Sequence, residues 1–218
     1  MPLTCHLTSV ILEKKIILRY KYNMYKQCRT EQSAKRQRAI EKELERLMLT
    51  RRIDEITVSE LCDKSETPRK AFYRYFDSID GALHAMIDHT MAEFHSFGSR
   101  YTIHERRSLQ RDIEQYFIFW KERRDFLDAL DRSSLLGFLI QKSLNYSVSD
   151  MMNPEKFLPH DGEWDRSQVF KFAICGLMTM MIEWYKNNFA TSTTEMARLA
   201  CRVLSEPLFP NIANIIVG

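Results

Sequence analysis

Glycine and proline are scarce, at six each in 218 residues. Sandwiches and barrels need turn residues at short, regular spacing, so the shortage argues against an all-β chain and for helices. The five cysteines (Cys5, Cys28, Cys62, Cys175 and Cys201) are odd in number and scattered, with no CxxC pair and no Cys/His spacing for zinc. Neither a disulfide framework nor a zinc module is expected, and reduced thiols in a cytosol are. Cys62 and Cys175 lie in apolar patterns and are expected as small core residues. No apolar run is long enough to span a bilayer. The run at 7–18, LTSVILEKKIIL, is broken by Glu13, Lys14 and Lys15, and no small-residue cleavage site follows it. A cytoplasmic protein without a membrane partner is expected. Also lacking are a phosphate-cradling Gly loop, a Ser/His/Asp order and a carboxylate pair in a suggestive setting, so neither an enzyme nor a cofactor is expected.

Hydrophobic residues make up 44% and charged residues 28%, enough for a core and a solvated surface. The net charge of +3 is too small to argue for a nucleic-acid partner by itself. Its distribution is uneven. Residues 1–28 carry five Lys/Arg against one Glu, a net of +4. Residues 29–80 carry twelve against eleven, a net of +1, and residues 81–218 carry fifteen against seventeen, a net of −2. The first 28 residues differ in character from the rest and are expected to be a loosely held extension, with translation beginning at Met24. A DNA-binding claim has to rest on where the cations sit.

Apolar residues Ala34, Ile40, Leu44, Leu47 and Met48 recur at helical spacing between Glu31 and Thr50, opposite Lys35, Arg36, Arg38 and Lys42. Thr57 with Glu60 forms a capping-box pattern, and Ile56 with Leu61 a hydrophobic staple, so a short helix over 58–64 is predicted. Thr67 is placed to cap the next short helix, with Pro68 at its first position. That helix carries the stretch TPRKAFYRYF, 67–76, with three cations and no acid. Its spacing buries Ala71, Phe72 and Phe76 and leaves Arg69, Lys70, Tyr73, Arg74 and Tyr75 outward. Two short helices joined by a tight turn and braced by a preceding amphipathic helix describe a helix-turn-helix unit, whose second helix enters the DNA major groove. Further helices are predicted from Ile79 to Phe97, from Ser108 to Leu130, through Asn145 from a cap at Ser133 or Ser134, from Trp164 to Phe189, and from a Ser192/Glu195 capping box to before Pro207. Residues 147–163 read as a loop.

The run ITVSELCDKSETPRKAFYRYFDSIDGAL, and FYRYFDS most specifically, resembles the DNA-binding signature of the TetR family of transcriptional regulators over about residues 35–83. EWYKNNF, 183–189, resembles the junction before the last helix in many members. The resemblance implies an all-α homodimer. Each chain would comprise an N-terminal three-helix DNA-binding domain, here 29–78 after the extension at 1–28, and a C-terminal dimerisation and effector-binding domain, here 79–218. It implies a dimeric, sequence-specific regulator on a palindromic double-stranded operator, acting as a repressor released by a small-molecule effector. Carried over by position, Arg69 and Lys70 fall where members reach base edges or phosphates. Tyr73, Tyr75 and Thr57 fall where members meet the phosphate backbone. The sequence departs from the pattern at Glu66, where glycine is common, at Thr67 and Pro68, and at Ile79, where a phosphate-touching lysine is common. These departures keep open a second reading, a helical co-regulator or adaptor acting through a protein partner.

Other candidates are weighed against plainer roles. Arg36 and Arg38 are candidate phosphate contacts or ordinary solubilising charges. His84, Asp88 and His95 lie close to one helix face, as do His89 and Glu93, yet without a fourth ligand nearby they are read as ordinary polar residues, and no metal is expected. Among the abundant later aromatics and methionines, Tyr116, Trp120, Phe138 and Met178 are candidates for an apolar effector pocket. Gly176, Met180 and Ile182 are candidates for the dimer interface.

Overall fold

A computed structural model describes residues 24–100, 108–146 and 166–205. Among them are nine α-helices and no strand: α1 Glu31–Met48, α2 Val58–Lys64, α3 Arg69–Tyr75, α4 Ile79–Arg100, α5 Leu109–Lys121, α6 Arg124–Arg132, α7 Leu136–Tyr146, α8 Arg166–Lys186 and α9 Thr193–Ser205. The all-helical expectation holds. The chain falls into two compact units, one of residues up to His89 with Asp128–Ser133, the other of Thr90–Leu127 with Ser134 onward. The first unit therefore runs past the boundary expected at residue 78. Residues 1–23, which the expected start at Met24 would remove, and the expected loop at 147–163 lie outside the described residues.

In the first unit, Thr30 caps α1 by accepting the Ser33 amide at 3.2 Å. Ile40, Leu44, Leu47 and Met48 form its buried stripe. Gln37 and Glu41 are buried on the same helix, and each is satisfied. Gln37 Nε2 donates to the Lys26 carbonyl at 3.2 Å and its Oε1 accepts from Cys28 Sγ at 3.1 Å. Glu41 accepts from His89 Nδ1 at 2.8 Å. After a 3₁₀ turn at Ile53–Glu55, whose Ile53 amide donates to Ser133 Oγ at 3.0 Å, α2 begins. Thr57 accepts the Glu60 amide at 3.2 Å as expected. Glu60 does not return the bond to the Thr57 amide: its carboxylate is taken by Arg51.

The expected loose extension is described only from Met24, and from there it is held. Tyr25 forms an antiparallel bridge with Phe76. The Lys26 amide donates to the Tyr75 carbonyl at 2.8 Å and the Asp77 amide to the Met24 carbonyl at 3.2 Å. Tyr25 Oη donates to Asp88 Oδ2 at 2.9 Å.

In the second unit, α9 packs along α5 and α7 along α8. The single helix expected from Ser108 to Leu130 is two. Arg123 stacks its guanidinium 3.5 Å from the Phe119 ring centroid, donates to the Phe119 carbonyl at 3.3 Å and bonds Glu93 at 3.2 Å. Its side chain thus caps the end of α5 without any Gly or Pro to announce the break. Ser133 and Ser134 do not cap α7: the Ser133 hydroxyl receives the Ile53 amide, and Ser134 has φ +59°. The α8–α9 junction turns on Asn188 and Phe189 at φ +58° and +55°. Trp184 holds it, with its ring 4.6 Å from Phe189 and Nε1 donating to the Thr191 carbonyl at 2.9 Å. Ser192 accepts the Glu195 amide at 3.2 Å, while Glu195 turns to Arg198.

The α2–α3 turn carries a local conflict. Glu66 has φ +50°, the left-handed region that disfavours a side chain. The Thr67 amide donates to the Cys62 carbonyl at 2.8 Å and the Glu66 amide to the Asp63 carbonyl at 3.3 Å, the paired bonds of a Schellman turn. Glu66→Gly is expected to stabilise the protein by about 1 kcal/mol, raising Tm by about 2–4 °C, and Glu66→Val to lower it. A thermal melt in which glycine gains nothing would show that the turn does not hold this conformation.

Candidate nucleic-acid interface

α3 is too short to hold itself by its own hydrogen bonds, so tertiary contacts set its position. Phe72 and Phe76 are fully buried with ring centroids 5.3 Å apart. The Thr67–Pro68 start differs from expectation. Pro68 is the cap residue, with φ −57° and ψ +137°, and the Thr67 hydroxyl donates to the Ser65 carbonyl at 3.1 Å instead of capping the helix. The Schellman bonds before it, and not a side-chain cap, set where α3 begins.

Arg69, Lys70, Tyr73 and Arg74 are exposed on α3, Tyr73 by 45%. Among the described residues, no carboxylate forms an ion pair with Arg69, Lys70 or Arg74. The three cations of this short exposed helix therefore carry no ion pair among the described residues. The Tyr73 ring stands edge-on to Phe72 with centroids 5.4 Å apart, so the hydroxyl is carried on an anchored ring. Thr57 is exposed at the start of α2. Tyr75, expected to face outward, is buried to 7% exposure and packs against Phe76 with centroids 6.2 Å apart. On α1, Arg36 is exposed, whereas Arg38 is half-buried with Nη1 3.4 Å from Glu41. Burial pushes the Cys62 thiol up and the nearby Arg69 charge pulls it down, with burial the larger effect. Cys62 is thus a core thiol beneath this surface.

His84 is half-buried, Asp88 accepts from Tyr25, His89 serves Glu41 and Glu93 meets Arg123; the His95 side chain lies outside the described residues. Among the described residues, no three His, Cys, Asp or Glu side chains are grouped to hold a metal ion.

In the second unit, Tyr116 Oη donates to Met178 Sδ at 3.2 Å, and the Tyr116 and Trp120 ring centroids are 6.4 Å apart. Burial raises the Tyr116 phenol well above its ordinary range. Trp120 is fully buried, and its Nε1–H finds no acceptor among the described residues. Three of the four pocket candidates are thus neighbours, and Phe138 is half-buried beneath Lys142 Nζ, 5.8 Å from its ring centroid. Of the dimer candidates, Gly176 is exposed and a Cβ there would meet nothing within 4 Å. Met180 is half-buried. Ile182 is buried within its own unit, since residues of α8 four apart along its apolar side, such as Met178 and Ile182, share the inner face.

Thr57→Ala is expected to cost about 1 kcal/mol of stability, because it deletes the α2 cap, and Thr57→Ser to restore it. Chemical denaturation midpoints of the two variants check this.

The sequence matches no family model and no curated protein. Solved structures do resemble it. The dihydroxyacetone kinase operon activator DhaS has a TM-score of 0.54 at 16% identity, over 84% of this chain and 97% of that one. The fatty acid degradation regulator FadR from Bacillus halodurans has a TM-score of 0.55 at 12% identity, over 79% and 96%. A tetR-family transcriptional regulator from Streptomyces coelicolor has a TM-score of 0.47 at 16% identity, over 84% and 96%. This chain, all-helical among the described residues, shares its fold with the first two of these proteins.

Proposed function

We propose that the protein is a cytoplasmic, dimeric, sequence-specific DNA-binding transcriptional regulator, and that it represses until a small-molecule effector releases it. The observation that carries the reading is α3: an anchored short helix with Arg69, Lys70, Tyr73 and Arg74 exposed and its three cations without carboxylate partners. A solvated helix face needs no buried double-phenylalanine anchor and no unbalanced charge. A major-groove reader needs both, one to fix orientation and the other to meet phosphate and base acceptors. Arg69 and Lys70 are assigned to bases or phosphates, and Tyr73 and Thr57 to phosphates. Arg36 remains a candidate phosphate contact on α1. The likeness to transcriptional regulators supports a DNA-binding regulator in general.

Dimerisation is part of the proposal because one short helix reads only a few base pairs, and two half-sites about one helical turn apart restore specificity. Its support is an open face on the second unit. Phe172, 67% exposed, Gly176 and Thr179 follow one another at helical spacing on α8, and Leu199 and Val203 are exposed four apart on α9. Repression is the simpler direction, since a bound dimer occludes promoter DNA without needing a further partner surface. The effector is assigned to the neighbourhood of Tyr116, Trp120 and Met178, where an apolar ligand bearing an acceptor would meet the unused indole N–H. Such a ligand acts only through different affinities for the DNA-bound and free states.

The experiment is selection of bound sequences from random duplex DNA, with wild type and with Arg69→Ala/Lys70→Ala. A palindrome enriched by wild type and lost by the double variant is expected. No enrichment from a folded dimer at low salt would overturn the reading in favour of an adaptor. Lys70→Ala alone is expected to flatten the plot of log affinity against log salt by about 0.9 for one lost phosphate. Phe172→Asp is expected to shift the dimer toward monomer in sedimentation; an unchanged dimer would place the interface elsewhere.

A further inference from the structure

The C-terminal end of α3 is finished by a segment of chain from before α1. α3 runs into Phe76 in extended conformation, φ −133° and ψ +146°, so no left-handed cap closes it. A helix leaves its last carbonyls unpaired unless something else supplies donors. Here the Lys26 amide takes the Tyr75 carbonyl at 2.8 Å, and the Met24 carbonyl receives the Asp77 amide at 3.2 Å. The strap is itself tied down twice more. Tyr25 bonds Asp88 on α4 at 2.9 Å, with its ring edge-on to His89 at 5.9 Å, and the Lys26 carbonyl receives Gln37 Nε2 from α1 at 3.2 Å. Gly81, in the first turn of α4, leaves the space the strap fills: a Cβ there would overlap the Met24 carbonyl oxygen. This is backbone that cannot swing aside as a side chain can.

We infer that residues 24–26 form a positioning strap for α3, with Tyr25 and Gly81 as its positioning residues, and that the strap sets how firmly α3 is presented to DNA. The inference rests on the reading of α3 as the DNA-facing helix for its consequence, but not for the positioning itself. Neither residue is among the DNA-facing side chains, so each acts through α3. A helix held in register before binding gives up less freedom on binding, and the strap thereby raises affinity without contributing a phosphate contact.

The test uses full-length protein with Gly81→Ala and, separately, Tyr25→Phe. Gly81→Ala adds a good helix former to α4 while obstructing the Met24 carbonyl, so loss of helix stability cannot explain its effect. Tyr25→Phe keeps the ring and deletes only the bond to Asp88. Hydrogen exchange in the free protein is the first readout. Amides of Tyr75, Phe76 and Asp77 are expected to exchange about tenfold faster in Gly81→Ala, with a smaller increase in Tyr25→Phe, while α5 and α9 keep their wild-type rates. Unchanged exchange at Tyr75–Asp77 would overturn the inference, and so would equal acceleration throughout the protein, which marks general destabilisation. The second readout is duplex affinity against salt. Gly81→Ala is expected to bind about tenfold more weakly with the wild-type salt slope. Wild-type affinity despite faster exchange would overturn the link from strap to affinity, and a flattened slope would show a direct phosphate contact instead. If wild type binds no duplex, the regulator reading falls while the exchange measurement still decides the strap.

Discussion

Seven residues make too few hydrogen bonds to hold a helix in water, and the candidate interface is a seven-residue helix. Its direction, start and end must all be set from outside. Phe72 and Phe76 set the buried side, and by helical geometry this turns Arg69, Lys70 and Tyr73 outward. The Schellman turn through Glu66 sets the start, and the pairing of residues 24–26 with 75–77 sets the end. Remove any of these and the cations remain in the sequence without a fixed arrangement.

Beneath α3, the first unit carries more buried polar groups than an apolar stripe needs. Glu41, Gln37 and Asp88 are all buried, and each is matched, by His89, by Cys28 and the Lys26 carbonyl, and by Tyr25. Such pairs add little net stability over apolar packing. They do penalise misplacement, because a strap or helix out of register leaves a buried charge or amide unpaired. The second unit shows the opposite economy. Its core is aromatic and sulfur-rich, and Trp120 Nε1 is left without an acceptor among the described residues.

Local signals were legible in the sequence because local geometry produces them. Thr57 and Ser192 cap where their spacing placed them, and the apolar stripe of α1 is buried as its period predicted except at half-buried Ala34. The differences arise where a side chain is claimed by a group outside its own helix. Glu60 goes to Arg51, Ser133 to Ile53 and Arg123 to Glu93. Tyr75 was misplaced because Phe72 and Phe76 already accounted for an inner face. On so short a helix the position between them is decided by neighbours, not by period. The strap joins residues about fifty positions apart, and nothing near Tyr25 or Gly81 announces it. Glu66 is the converse case: the departure from glycine was visible, and the turn kept its left-handed backbone regardless. Of the candidate DNA contacts, Arg69, Lys70, Tyr73, Thr57 and Arg36 are exposed, while Thr67, Tyr75 and Arg38 are taken up by the fold. The effector and dimer residues were less readable, because an inner and an outer apolar residue look alike until helices pack.

Contact between α3 and duplex DNA can be measured without a known operator. Backbone amide shifts of the full-length protein would be followed while mixed-sequence duplex is added at low salt. Saturable shifts concentrated at Thr57 and Arg69–Arg74, reversed by added salt, are the expected result. Shifts absent from α3 while the protein remains folded, or confined to the second unit, would contradict such contact.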